Sequence, residues 1–209
     1  MFIIKNFILF FLFYTEFVIA QDFEGKILYK NTCKSKNPAW TIEYCQMMTD
    51  STEIYYFKKG NYKHISNDFS EKWTIYLKDN NAIYTRAKKL FRTDASYYED
   101  KILKTEINRN KIKILGYLCD ELILTCASGI QKYYFNTITA VNPKLFVNHN
   151  HGNLNKIISL TKSIPLMTIF FIESEGLELK SVASKIVKTK LEEKTFEVPK
   201  NQEIFEGNY

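Results

Sequence analysis

The sequence predicts a mainly β (α+β) protein: a single antiparallel sheet curled into a half-barrel, with a few short helices on its concave side. Three observations lead there. Lys111 to Asn136, KIKILGYLCDELILTCASGIQKYYFN, holds two apolar-rich runs around Ala127-Ser128-Gly129, the pattern of a long β-hairpin with a short Gly-containing loop. Ile, Leu and Tyr dominate both runs, as expected of strands half-buried against a core. Elsewhere, short alternating runs follow one another with turn residues between them, which predicts about eight to ten meandering strands. Two or three short helical segments cover only part of such a sheet. The sheet must then close on itself or leave an apolar cavity.

Residues 1–20, MFIIKNFILFFLFYTEFVIA, read as a secretory signal peptide. Lys5 is the positive n-region, the Phe/Leu/Ile run the apolar core, and Val18-Ile19-Ala20 the small-residue cleavage site. The apolar run is shorter than the ~20 residues of a spanning helix. No cysteine follows the cut, so the lipid-attachment signal of a bacterial lipoprotein is missing. The expectation is an exported chain, periplasmic or secreted, with one domain over residues 21–200 and a polar tail over 201–209.

Phe23 to Lys30 alternates Phe23, Ile27 and Tyr29 with Glu24, Lys26 and Lys30, a first strand with one wet face. Pro38 suits the start of a short helix over Ala39–Thr49. Ser51–Lys58 and Tyr62–Ser66 form a hairpin around Lys59-Gly60-Asn61. Lys72–Lys78 and Ala82–Lys88 form another around Asp79-Asn80-Asn81, both loops rich in residues that accept φ > 0. Lys101–Arg109 is a strand, and Asn108–Asn110 the turn into the central hairpin. Pro143 opens a short helix through Val147, His149–Asn153 is loop, and Leu154–Leu160 is a further helical turn. Leu166–Glu173 and Leu177–Thr189 are the last strands, joined at Gly176, and the chain after Pro199 frays.

All four cysteines lie beyond the signal, where bridges are allowed. If Asp120–Thr125 is one strand, Cys119 and Cys126 lie roughly 23 Å apart at ~3.3 Å per residue, far beyond disulfide reach. Cys33 and Cys45 flank a Pro-containing segment and meet easily. A Cys33–Cys45 bridge is the expectation, with cross-pairing of the two segments as the alternative. Neither pair has the spacing of a zinc site.

The net charge of +6 is spread over scattered lysines, with no basic–aromatic cluster for nucleic acid. No nucleophile elbow, zinc-helix, phosphate-loop or dinucleotide motif occurs. His149-Asn150-His151 would need further metal ligands that the sequence does not supply, and His64 sits in a strand. Glu99-Asp100 and Glu192-Glu193 are adjacent carboxylates, which point to opposite faces of a strand. No catalytic residue, metal or cofactor is predicted. A hydrolase would need His64, His149 or His151 beside a carboxylate or serine in a cleft. The aromatics carry more weight: at 15% they are abundant, and Tyr55-Tyr56-Phe57, Tyr97-Tyr98 and Tyr133-Tyr134-Phe135 place rings on both faces of strands. Trp73, Ile75 and Leu77 share one face of their strand. With Leu122, Leu124, Ile169 and Phe171 they are the candidate lining of an apolar cavity.

Ile114-Leu115-Gly116-Tyr117-Leu118-Cys119, the return at Tyr133-Tyr134-Phe135, then Asn142-Pro143 and Leu145-Phe146, resemble exported bacterial proteins of unknown function. These carry an I-x-G-Y-x-C element and a Y-Y return strand. Pro165-Leu166, a long strand, and Leu191 through Phe196-Glu197-Val198-Pro199 are similar to the end of LolA/LolB-like lipoprotein carriers. The resemblance covers about Phe23 to Ile204. Asn201 stands where the family often has glycine, and the arginine that gates acyl release has no counterpart that can be placed. The resemblance implies an incomplete antiparallel barrel with helices plugging its mouth and a cavity for acyl chains. With it, the expectation is a non-enzymatic exported binding protein for an apolar ligand, a lipid or lipoprotein acyl chain. The alternative is an envelope or secreted protein-interaction module of the same fold.

Overall fold

The computed structural model describes residues 22–37, 45, 49–66, 72–97 and 100–207. The signal peptide expected over residues 1–20, most of the helix expected over Ala39–Thr49, and Tyr98-Glu99 lie outside the described residues. Twelve strands make one sheet: β1 (Gly25–Ser35), β2 (Thr52–Lys58), β3 (Asn61–Ser66), β4 (Trp73–Leu77), β5 (Ala82–Arg86), β6 (Leu90–Asp94), β7 (Ile102–Ile114), β8 (Tyr117–Cys126), β9 (Gly129–Phe135), β10 (Met167–Ile172), β11 (Leu177–Lys188) and β12 (Ile204–Glu206). Their order is β12-β6-β5-β4-β3-β2-β1-β11-β10-β9-β8-β7. Two antiparallel meanders, β1–β6 and β7–β11, are therefore joined through the β1–β11 ladder. The sheet is curled and does not close. The protein is mainly β, as expected.

The expected hairpins form, and their chemistry explains them. Lys59 and Gly60 both take positive φ (49° and 85°), the two-residue turn whose twist matches the flanking strands. A 3-10 turn over Lys78–Asn80 ends on Asn81 in the left-handed region, where Asn is tolerated. The expected turn at Asn108–Asn110 is corrected. β7 runs on to Ile114 with a register break between Asn108 and Ile112, and the chain turns at Leu115-Gly116 (φ 51° and 85°). Asn110 takes the positive φ of a bulge, and its N–H donates to Asp120 Oδ1 at 2.9 Å, so the Asn-rich stretch is satisfied inside the strand. β6 was not expected. The tail does not simply fray: β12 pairs in parallel with β6, Phe205 packs on Phe91, and Glu206 reaches Arg92 at 3.3 Å.

Residues directly opposite on antiparallel strands share a face, so the register sorts every side chain. The inner face carries α1 (Leu154–Thr161) and the 3-10 turns over Thr137–Thr139, Pro143–Phe146 and His151–Asn153. Pro143 sits in the first turn, with the Asn142 side chain accepting from Lys144 N–H, which confirms the expected start. Beneath α1, Ile157 packs with Leu122, Leu124, Tyr133 and Phe135. Ile158 joins a larger cluster with Phe23, Ile27, Tyr29, Phe57 and Phe146. The outer face over β3–β6 is covered instead by the C-terminal segment. Its 3-10 turn Glu193–Phe196 lies against β3 and β4, and Val198 packs with Trp73, Leu77, Ala82, Tyr84 and Leu90. Lys58 and Glu24 clip this segment where it leaves β11: Lys58 Nζ donates to the Leu191 carbonyl, and Leu191 N–H donates to Glu24 Oε1 at 2.7 Å. No helix among the described residues is long and apolar enough to cross a membrane.

Cys33 and Cys45 are bridged with Cα atoms 5.6 Å apart, while Cys119 and Cys126 are unbridged and buried, as expected. Replacing both bridged cysteines by serine is expected to lower the unfolding free energy by about 2–4 kcal/mol in urea titrations; an unchanged midpoint would show that the bridge constrains nothing. Phe196→Ala is expected to cost about 3–5 kcal/mol, because Phe196 is buried by the outer-face cover. A loss below about 1 kcal/mol would mean that the C-terminal segment is not part of the core.

Candidate functional site: an aromatic cavity on the inner face

A cavity of about 550 Å³ lies between the inner face and its helical cover. Tyr29, Tyr55, Phe57 and Tyr62 enter it from β1–β3, Phe170 and Leu179 from β10 and β11, and Leu154 and Ile157 from α1. Alternation dictates this set: Glu53, Tyr55 and Phe57 share one side of β2, opposite Tyr29, Ile27 and Gly25 on β1. Tyr55 meets Tyr29 edge-on at 5.5 Å and lies parallel to Phe57 at 5.9 Å. The Tyr29 hydroxyl donates to the Pro165 carbonyl at 2.7 Å, fixing the entrance of β10 to β1. Burial first, and then the nearby Glu53 carboxylate, push the Tyr29 and Tyr55 hydroxyls well above their usual range, so both remain neutral phenols.

Two histidines sit in this wall in different settings. His64 Nε2 lies 3.2 Å from Glu53 Oε1, and its ring stacks on Tyr55 at 4.5 Å. His149 is 1% exposed, its Nε2 is 3.1 Å from the Tyr62 hydroxyl, and its ring meets Tyr76 edge-on at 4.3 Å. Burial drives the His149 pKa down to about 4. The His151 ring is 6.5 Å away, and burial lowers its pKa too. Among the described residues no three His, Cys, Asp or Glu side chains come together as metal ligands. The pairing that a hydrolase would need is present as His64 beside Glu53. The residue opposite His64 is Thr74, whose hydroxyl pairs with that of Thr85 at 3.4 Å.

None of the seven residues expected from sequence lines this cavity. Trp73, Ile75 and Leu77 do share one face, but it is the outer one, under the C-terminal segment. Ile169 and Phe171 also alternate outward, and Lys36 Nζ sits 4.8 Å over the Phe171 ring. Leu122 and Leu124 are inner and fully buried beneath α1, where they fill the core beside the cavity. The lining was written on the neighbouring parity, at Tyr55-x-Phe57, Tyr62-x-His64 and Thr168-x-Phe170.

No protein-family model matches the chain, and no curated protein matches it. Among solved structures it is similar to an uncharacterized conserved protein from Thermus thermophilus, with a TM-score of 0.53. The identity is 7%, over 90% of this chain and 93% of that one. Such a likeness shows the fold alone.

His149 also makes the site sensitive to acid. Its pKa is about 4 in the folded state against 6.5 when exposed, so below pH 6.5 the unfolded chain binds a proton that the native state refuses. The stability held above pH 6.5 is therefore lost as pH falls toward 4, by about 3 kcal/mol for this one group. His149→Phe is expected to flatten that part of the pH dependence in urea titrations between about pH 7 and 4. An unaltered slope would contradict the assignment.

Proposed function

We propose that the protein is a non-enzymatic exported binding protein that shelters an apolar ligand, a lipid or lipoprotein acyl chain, in the inner-face cavity. One observation carries this reading: an open sheet leaves about 550 Å³ beneath its cover, walled mainly by aromatic and aliphatic side chains. Ligand sites of ~300–1,000 Å³ are typical, and apolar walls with few polar groups are their usual lining. The curled open sheet with helical segments over its mouth is also the arrangement that the resemblance to LolA/LolB-like carriers implies. The Cys33–Cys45 bridge and the N-terminal sequence support export.

A second reading rests on a different feature. Leu103, Ile107, Ile112, Leu115, Tyr117 and Leu118 are all exposed on the β7–β8 ribbon at the end of the sheet. Exposed apolar side chains along one ribbon suit a protein-interaction module.

Native mass spectrometry of protein purified from its export compartment, followed by organic extraction, separates the two. A co-purifying lipid or acylated peptide is expected, and Phe170→Arg is expected to abolish it while leaving the thermal midpoint within a few degrees. A clean ligand-free mass, with no uptake of fatty acid or lipopeptide, would overturn the carrier reading and favour the interaction module.

A further inference from the structure

A row of polar side chains crosses the inner face, and an acyl chain has no use for it. The register sets Thr168 of β10 opposite Ser181 of β11, and Ser181 opposite Asn31 of β1. Glu53 of β2 is the next polar inner-face residue, diagonal to Asn31, and its carboxylate meets His64 of β3. His64 in turn faces Thr74 of β4. Direct cross-strand neighbours have Cβ atoms about 5 Å apart and diagonal ones about 7–8 Å, so the row is continuous. It crosses six strands, roughly 24 Å along the sheet at ~4.8 Å per strand. All six residues line the cavity.

The chemistry of the row is mixed and balanced. The Asn31 side-chain N–H donates to the Asp50 carbonyl at 2.9 Å, while its buried Oδ1 has no donor. A buried acceptor in that position is satisfied by a ligand hydroxyl or N–H. The Ser and Thr hydroxyls both donate and accept. Glu53 lies beside His64, and Lys180, which alternates toward the outer face between Leu179 and Ser181, also borders the cavity. The other titratable groups over the cavity, His149 and His151, are held toward the neutral form. An anionic head group would therefore meet the Glu53 carboxylate at the centre of the row. Beside the row, Tyr29 and Tyr55 line the cavity.

Resting on the apolar-ligand reading above, we propose that the ligand is a glycoside-like amphiphile. Its uncharged, hydroxyl-rich head lies along Asn31, Glu53, His64 and Thr74, and its apolar chain lies against Phe57, Phe170 and Ile157. A length of six strands suits a head of more than one ring.

Isothermal titration of the secreted full chain at about pH 7.5, where the buried histidines are neutral, tests this with decyl maltoside and with decanoate, both below their micelle concentrations. Decyl maltoside is expected to bind at least tenfold more tightly than decanoate. Glu53→Ala combined with Thr74→Val is expected to erase that preference, as is Asn31→Leu, each with an unchanged circular dichroism spectrum. Equal affinities in the wild type, or a preference that survives both variants, would overturn the head-group assignment while leaving the apolar cavity standing. Binding of neither probe would overturn the apolar-ligand reading itself, and this inference with it.

Discussion

An open sheet of twelve strands has two faces to cover and two ends to finish, and the described residues hold little helix with which to do it. Nearly every long-range feature answers that constraint. The stretch from Thr137 to Thr161 covers the inner face, anchored by Ile157 and Ile158. The C-terminal segment covers the outer face over β3–β6, clipped at its start by Glu24 and Lys58. β12 then occupies the free edge of β6. The β7 edge stays open, and it carries bulges and lysines, devices that discourage edge-to-edge pairing. Because the cover on each face is partial, one region is left with aromatic side chains and nothing packed into it. That region is the cavity.

The cavity wall mixes aromatic rings with the Glu53 carboxylate and the His64 imidazole beside it. Its buried tyrosines stay protonated, and its buried His149 refuses a proton. The burial that holds His149 neutral also links the site to stability, since it penalises the fold in acid.

Much of the fold was legible in the sequence because turns have strict chemistry. Lys59-Gly60 and Asp79-Asn80-Asn81 could hardly be anything else, and Asn142-Pro143 announced a helical start. Strand length excluded a Cys119–Cys126 bridge, and the short Pro-containing segment between Cys33 and Cys45 favoured the pairing that forms. Three features did not show. Asn108–Asn110 has the composition of a turn, yet Asp120 on the next strand binds it as a bulge, a partner that local reading does not see. β6 and β12 are short and flanked by charge, so they gain their structure from their neighbours. Trp73, Ile75, Leu77, Ile169 and Phe171 lie one residue out of phase with the cavity, while Leu122 and Leu124 are inner but fill the core beside it. Strands such as β2 and β4 carry apolar or aromatic side chains on both parities, because both faces are covered here. Trp73, Ile75 and Leu77 were the more hydrophobic row and went to the face with the tighter cover. The cavity took the more mixed row of Thr74, Tyr62, His64 and Tyr55.

The claim on which everything else rests is that the inner row, and not the outer one, meets the ligand. Intermolecular nuclear Overhauser contacts between the alkyl protons of a bound decyl amphiphile and the protein's rings would measure it directly. Contacts to Tyr55, Phe57 and Phe170, with none to Tyr56, Trp73 or Phe171, are the predicted result. Contacts confined to Trp73 and Phe171, or to the exposed β7–β8 ribbon, would contradict it.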